Sequence, residues 1–424
     1  MILSLTIENF RSISSSLKID LTASKRLKEE DLFHNSFPQE DEEVLKSLLL
    51  YGRNASGKSN VLLALKALIF LVEKSDKFKL DQKLATYEPF LFDHFHKLQP
   101  VKFEIDFVTV DSKTRFNYRI EFTESAITYE SLNFFPKGVK AKLYERSSNK
   151  ITYGDSYRGT KKNIENDLLK NQLFLSKSAS SKVMYLNECY LFFKRYVFVS
   201  TIHDTEYDKS IIRAFSELLK ENNKLKTNLL ELLKAADTSI EDFTIIENEK
   251  EIKFSNKIPK ELKEKILEEH KYEVKTSHPI FNDGKIVGEE DLDLENESFG
   301  TKKLFAIGAL ILDTLDDGGI ILIDELDKGL HPLLSKMLIK LFNSRYNNPK
   351  NAQLVFATHD STLLDLDLMR RDQITFIDKT YEQNSIAYKL SDIKGIRKDI
   401  PIDKWYLSGR FKAIPVTTEP ILKF

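Results

Sequence analysis

The sequence predicts an α/β protein with a mixed, largely parallel core sheet, an N-terminal antiparallel β-subdomain and an α+β insertion. Three observations carry this. From Thr301 onward, apolar strands alternate with helices, the pattern of βαβ units and a parallel sheet. At the N-terminus, Ile2, Leu3, Leu5, Ile7 and Phe10 alternate with polar residues, and "SLKIDL" repeats the pattern, as paired antiparallel strands do. Between these ends a glycine-punctuated loop, Gly52 to Ser59, joins a short apolar strand to an apolar helix.

Taken in order, residues 1–80 form an N-terminal lobe, 81–290 an insertion that acts as lid or interaction region, and 291–424 a C-terminal lobe. The first strands are followed by a charged connection, "RLKEEDLFHNSFPQEDEEV", then a buried strand from Leu48 to Tyr51 and a helix from Ser59 to about Val72. The insertion opens β-rich. Val101, Phe103, Ile105 and Phe107 fall on one face, and "RFNYRIEFT" and "AITYESL" continue the alternation. Lys137 to Lys162 is basic, polar and turn-rich. Its charge reads as a solvated face, and contact with a nucleic-acid backbone stays open. Helices are expected over Lys161–Leu175 and Lys182–Phe193, then a strand in "RYVFVST". Tyr207 to about Lys271 is charge-dense and mostly helical. Leu218, Leu225, Leu229 and Leu232 make a seam of only about two heptads, so a helical hairpin packed on the body is expected rather than a coiled-coil arm. In the C-terminal lobe, "TKKLFAIGALILDTL" is a helix that turns at "DDGG" into the strand "IILID". "HPLLSKMLIKLF" leads to "QLVFA", and "QITFID" adds a further strand.

Composition narrows the classes. The 424 residues carry 64 Lys+Arg against 65 Asp+Glu, a net charge of -1, so no global basic field argues for nucleic acid. A single cysteine, Cys189, rules out an intramolecular disulfide, disfavours a thiolate metal site and points to the reducing cytoplasm. "MILSLTIENF" lacks a basic n-region and reads as a strand, not a signal peptide. No apolar run reaches membrane-spanning length, and "LFAIGALIL" is a buried helix, so no membrane association is expected.

Gly52-Arg53-Asn54-Ala55-Ser56-Gly57-Lys58-Ser59 matches G-x-x-x-x-G-K-[ST]. The glycines let backbone N–H groups turn inward around phosphate oxygens, and the following helix points its positive end at the same anion. Lys58 would reach the β/γ-phosphates of ATP and Ser59 would ligate Mg²⁺, with Asn60 in the same first turn. "GGIILIDELD" supplies the matching acids. Asp324 would hold the Mg²⁺ shell, and Glu325 would polarise or orient the attacking water. "ESFGTKK" places Ser298 and Gly300 at a helix start, a second anion site, although Ser298 also suits a plain helix N-cap. Asp327 follows the acid pair, and "VFATHD" sets His359 after the next strand, where it would sense the γ-phosphate. Among weaker candidates, "DHFH" (Asp93, His94, Phe95, His96) has too few ligands for a metal, and Gln99 reads as a turn residue. Phe90, Phe92 and Phe95 read as core or interface packing.

The order of glycine-rich loop, long insertion, S-x-G, acidic strand, Asp327 and histidine resembles that of ABC-class ATPases, with Ser298-Phe299-Gly300 as signature and Asp327 as D-loop residue. Phe299 is bulky for its position. "IENFRSI" resembles the N-F-R-S form of the SMC/RecF-like branch, which implies that Arg11 lies near the nucleotide. "YGRNASGKSN", "DELDKGLHP", "ATHD" and "YLSGRFKAIP" together resemble the AAA-type ATPases of bacterial abortive-infection and phage-defence systems, including OLD-like and PARIS-like ATPase subunits. The resemblance implies an ABC-type ATPase head and a homo-dimer or higher homo-oligomer in which the signature of one copy caps ATP on another. With "GRFKAIP" close to the last residue, no C-terminal TOPRIM nuclease is expected. The expected role is therefore a sensor or scaffold that controls a separately encoded effector, foremost a nuclease. A RecF/SMC-like DNA-repair ATPase that clamps DNA is the alternative.

Overall fold

A computed structural model describes residues 1–27, 30–159, 162–179, 183–201, 205–236, 238–248 and 271–414. The chain forms two compact units. One comprises Met1–Thr201, Asp317–Leu326 and Ile339–Phe424; the other comprises Ile202–Asp316 and Asp327–Leu338.

The first unit contains two large sheets. The antiparallel one has seven strands in the spatial order Lys150–Tyr153, Ala141–Ser147, Ile127–Phe134, Arg115–Phe122, Val101–Val108, Ile2–Glu8 and Leu17–Asp20. Its alternation is the one expected: Val101, Phe103, Ile105 and Phe107 are all buried while their neighbours are half-exposed. The β-rich half of the insertion is thus continuous with the N-terminal strands, because Val101–Val108 pairs directly with Ile2–Glu8. The stretch Lys137–Lys162, expected to be turn-rich, instead supplies the last two strands at one edge. Ser147 pairs with Lys150, so Ser148 and Asn149 make the tight two-residue turn of a hairpin. Leu143 and Tyr144 supply the buried apolar surface that holds the hairpin to the sheet.

Under this sheet Phe107 stacks on Phe192 with ring centroids 4.2 Å apart. In place of the two helices expected before "RYVFVST" there are three shorter ones, Lys162–Asn166, Phe174–Ser178 and Met184–Leu191, the last ending in a π-turn over Phe192–Tyr196. Lys161 and Lys182, where helices were expected to begin, lie outside the described residues, as does Pro415 of the C-terminal motif.

The second sheet is the predicted parallel core. Its order is Val197–Ser200, Ile320–Ile323, Gln353–Thr358, Ser47–Tyr51, Ile374–Lys379 and Ser385–Lys389. All neighbours are parallel except the last pair. Every residue of Ser47–Tyr51, Ile320–Ile323 and Gln353–Thr358 is buried, as in a parallel sheet covered on both faces. Gln353, fully buried, accepts from the Ile2 N–H at 2.6 Å and donates to Ile2 and Leu45 carbonyls at 3.0 Å, so one amide ties the N-terminal strand to the core sheet.

The second unit holds the helices Thr205–Glu221 and Asn223–Ala235 and the helix Phe299–Asp317. It also holds a three-stranded antiparallel sheet of Asp242–Glu247, Tyr272–Asn282 and Lys285–Asp293. The leucine seam is a hairpin as expected. Asn222 breaks it, accepting from the Leu225 N–H at 3.1 Å as an N-cap. Leu229 and Leu232 lie against Gly308 of the long helix, where a Cβ would fall 2.7 Å from Leu232. The expectation of a mostly helical run to Lys271 fails at Asp242–Glu247. There "DFTIIE" buries Phe243 in period two, and its β-branched residues favour a strand. Residues 249–270 of that run lie outside the described residues. No helix among the described residues is long and apolar enough to cross a membrane.

Candidate phosphate-binding site

The strand Ser47–Tyr51 runs up the centre of the core sheet and delivers its last residue to the loop 52–59. Gly52 is required by close approach: a Cβ there would lie 2.1 Å from the Ile377 carbonyl oxygen. Ala55 and Gly57 adopt positive φ of 61° and 110°, which curls the loop back on itself. The helix Lys58–Lys74 then begins at Gly57 with no side chain capping it, leaving its positive end open to an anion. Asn54, Ala55 and Ser59 are exposed at the mouth and Asn60 half-exposed, whereas Ser56 and Lys58 are buried. The Lys58 ammonium folds back onto the Gly52 carbonyl at 2.7 Å and that of Arg53 at 3.2 Å, so it spans the loop. Arg53, at the variable place of the motif, faces away. It donates to the Lys379 carbonyl at 3.0 Å and pairs with Asp378 at 3.3 Å, anchoring the loop to the adjacent strand.

Two neighbouring strands end level with this loop. Thr358 stands opposite Tyr51, and Ile323 opposite Phe356, so Asp324, Glu325 and His359 follow the carboxyl ends of strands in the same sheet. Asp324 is 6 % exposed and its N–H donates to Ser200 O at 2.9 Å. Glu325 is held at φ 47°, a left-handed conformation uncommon for a non-glycine residue. Tyr51 fixes the His359 backbone through its hydroxyl (2.9 Å to the carbonyl), leaving the imidazole exposed.

Arg11 also sits at φ 52°. Its N–H donates to Glu88 O at 2.7 Å and its guanidinium pairs with the Glu88 carboxylate at 3.3 Å. It shares a cleft of about 480 Å³ with Ser12, Asn60, Tyr87, Leu91 and Phe92, and so stands beside the first turn of the loop helix. Asn9 of the same N-F-R-S motif is fully structural: its amide accepts from Phe90 N–H and donates to the carbonyls of His96, Gln99 and Pro100. Gln99 is therefore held by its backbone, as a turn residue. Phe90 is buried, while Phe92 and Phe95 are two-thirds exposed and do not belong to the core.

In the second unit, Ser298 caps Phe299–Asp317, accepting from Thr301 N–H at 3.1 Å. A Cβ on Gly300 would meet the Gly329 carbonyl at 3.2 Å, and one on Gly329 would lie 2.1 Å from the Phe299 ring. The bulky Phe299 is accommodated by this glycine, two residues after Asp327. Just upstream, Glu297 is gripped by Thr276 at 2.6 Å and His278 at 2.7 Å.

"DHFH" is a turn: Asp93 accepts the N–H groups of Phe95 and His96 and contacts the His96 ring. These hydrogen bonds, that from the His96 backbone foremost, hold its carboxyl below the usual range. No cluster of three His, Cys, Asp or Glu suited to a metal occurs among the described residues. The oxygen chemistry of Ser59 and Asp324 fits Mg²⁺, which takes one or two protein oxygens and completes its shell with water and phosphate. An uncapped helix end, a buried Lys58 and a Ser56 hydroxyl that finds no hydrogen-bond partner within the protein fit a phosphate chain.

Ser12 and Ser385 lie outside the site the sequence predicts, yet both touch the loop. Ser12 belongs to a recognisable motif; Ser385 lies in an ordinary strand and carries no local signal.

A parallel core sheet with this loop at the carboxyl end of its central strand defines a P-loop α/β protein. The family described as "AAA domain, putative AbiEii toxin, Type IV TA system" matches residues 47–365, more than half of the chain, and the protein belongs to it. No curated protein matches the chain in sequence. Among solved structures, an SMC head bound to the C-terminal winged-helix domain of ScpA is similar at 12 % identity, covering 92 % of this chain and 97 % of that one, with a TM-score of 0.45. The SMC head domain from Thermotoga maritima is similar at 11 % identity, covering 92 % and 98 %, with a TM-score of 0.40. An SMC head from Pyrococcus furiosus bound to the C-terminal domain of ScpA is similar at 13 % identity, covering 97 % and 99 %, with a TM-score of 0.41.

Proposed function

We propose that this chain is an ABC-class ATPase that binds Mg·ATP on Gly52 to Asn60 and hydrolyses it in a site shared between two copies. The observation that carries the reading is the loop itself. It is an uncapped helix end reached through two positive-φ residues, with Lys58 arched across it and two acid- and histidine-tipped strands ending beside it. The loop amides and Lys58 would hold the phosphates, and Ser59 and Asp324 would hold Mg²⁺, which when bound would neutralise charge on the phosphate oxygens. Glu325 orients water and His359 contacts the terminal phosphate. Ser298, Gly300 and Asp327 of a second copy complete the site, so that ATP state governs assembly. Arg11 adds positive charge near the phosphates.

We place this activity in abortive infection: the chain acts as a sensor or scaffold that restrains a separately encoded effector, foremost a nuclease, in the cytoplasm. Membership of a family whose description includes AbiEii supports this class of role. The test combines hydrolysis with light scattering. Lys58→Ala should abolish ATP binding. Glu325→Gln should slow turnover by at least about a hundredfold while trapping the ATP-assembled state. Unchanged turnover and assembly in Glu325→Gln would sink the scheme. DNA-stimulated turnover with a steep salt dependence would favour a DNA-clamping ATPase instead.

A further inference from the structure

Against the phosphate loop, two buried serines from opposite ends of the chain form a clasp. Ser12 comes from the N-F-R-S turn and Ser385 from the last strand of the core sheet; they are 8 % and 1 % exposed. Their hydroxyls are 2.7 Å apart, and the Ser385 N–H donates to Ser12 O at 2.8 Å. Asn60, in the first turn of the loop helix, donates to the Ser12 hydroxyl at 2.6 Å. The Ser385 hydroxyl donates to the carbonyl oxygen of Ser56 at 2.6 Å. A Cβ on Gly57 would lie 2.3 Å from Ser385 Oγ and 2.7 Å from Ser12 Oγ, so the clasp presses directly on the Ser56–Gly57 peptide.

That contact has a directional consequence. The Ser56–Gly57 peptide is trans, so its C=O and N–H point in opposite directions. Pinning the Ser56 carbonyl onto Ser385 turns the Gly57 N–H away from the clasp. We propose that Ser385, braced by Ser12, is a positioning residue that aims the Gly57 N–H at the phosphate of the bound nucleotide. Without it the Ser56 carbonyl loses this anchor, while the far side of Gly57 stays held by the Asn60 and Val61 N–H groups on its carbonyl, and the φ of 110° at Gly57 is one that glycine tolerates. The clasp also explains why Gly57 admits no side chain: the space is taken by two hydroxyls.

This inference rests on the phosphate-loop reading, and the experiment separates the two. An aimed N–H contributes to binding the phosphate equally before and during reaction, so its loss raises KM and leaves kcat alone. In Ser385→Ala, KM for ATP and Kd for inorganic tripolyphosphate should rise together by about tenfold, with kcat within about twofold of the parent. Ser12→Ala keeps the Ser385–Ser56 bond and should give a smaller rise in both. Combined with Ser385→Ala it should add little, because the two serines act through one contact. Damage to the fold would instead lower kcat through a smaller active fraction, with KM unchanged. The proposal is overturned if folded Ser385→Ala keeps parental KM and Kd, or loses only kcat. Should Ser385→Ala fail to fold, Ser12→Ala decides, and parental values there overturn it equally. If the parent binds neither ATP nor tripolyphosphate, the phosphate-loop reading itself fails. If Lys58→Ala abolishes binding while both serine variants retain it, only the positioning role does.

Discussion

Glu130 has no exposed surface, and its partners explain how a carboxylate persists there. It accepts from the hydroxyls of Tyr118 (2.9 Å) and Tyr144 (2.7 Å) and from the N–H groups of Phe174 (2.6 Å) and Leu175 (2.9 Å), with the buried Arg146 guanidinium 3.8 Å away. Four donors and a cation replace the water it lost, and one side chain thereby joins three strands of the antiparallel sheet to the start of a short helix. Removing the charge leaves Arg146 buried and uncompensated. Glu130→Gln should destabilise the first unit by about 3–5 kcal/mol, read as a lower urea midpoint. A midpoint within error of the parent would show that the network adjusts. Nothing in "TYESLNF" marks this glutamate as different from the neighbouring solvated ones. Its role was illegible because its partners come from positions 118 to 175, while the glycines and lysine of the phosphate loop are legible because their chemistry is local to eight residues.

At the scale of the element, the helix Phe299–Asp317 shows how one residue serves two readings. Ser298 is an N-cap by its 3.1 Å bond from Thr301 N–H, and that role says nothing against its use as a signature serine. Substitutions separate the roles. Ser298→Ala should cost about 1 kcal/mol by losing the cap. Ser298→Asp should retain the cap and the favourable charge at the helix start, yet place a carboxylate where phosphate would dock. Stability should hold while ATP-dependent assembly, followed by light scattering, is lost. Normal assembly in Ser298→Asp would leave only the cap. The helix itself was readable from its apolar run, as were the core strands, because their patterns are period 3.6 or continuous. The hairpin at 141–153 was not, because a register shift at Leu143 leaves Leu143 and Tyr144 consecutive and both buried, and the next buried residue is Arg146, so no apolar alternation shows.

For the molecule as a whole, buried phenols dominate the response to alkali. Burial raises the pKa of Tyr118, Tyr144 and Tyr153, and pushes Tyr157 and Tyr388 up to about 12 from 10.0. Between pH 10 and 12 the unfolded chain has therefore lost protons that the folded chain keeps. Their contribution to stability is complete below pH 10 and declines as pH rises toward 12. The urea midpoint should fall through that interval, with phenolate absorbance appearing together with unfolding. Phenolate formed well before unfolding would contradict the burial of these rings.

By itself the sequence determined the fold class, the core strands and the position of the glycine-rich loop, Asp324, Glu325 and His359 at the ends of those strands. Each of these is encoded by spacing within a short window, where backbone geometry and side-chain period are fixed by neighbours in the chain. Only the tertiary structure decided that Val101–Val108 pairs with Ile2–Glu8, that Glu130 lies fully buried, that Arg11 pairs with Glu88, and that Ser12 and Ser385 meet at Gly57. Those relations join residues up to 373 positions apart. Contacts at that separation are chosen by the packing of the whole chain, and no local pattern records them.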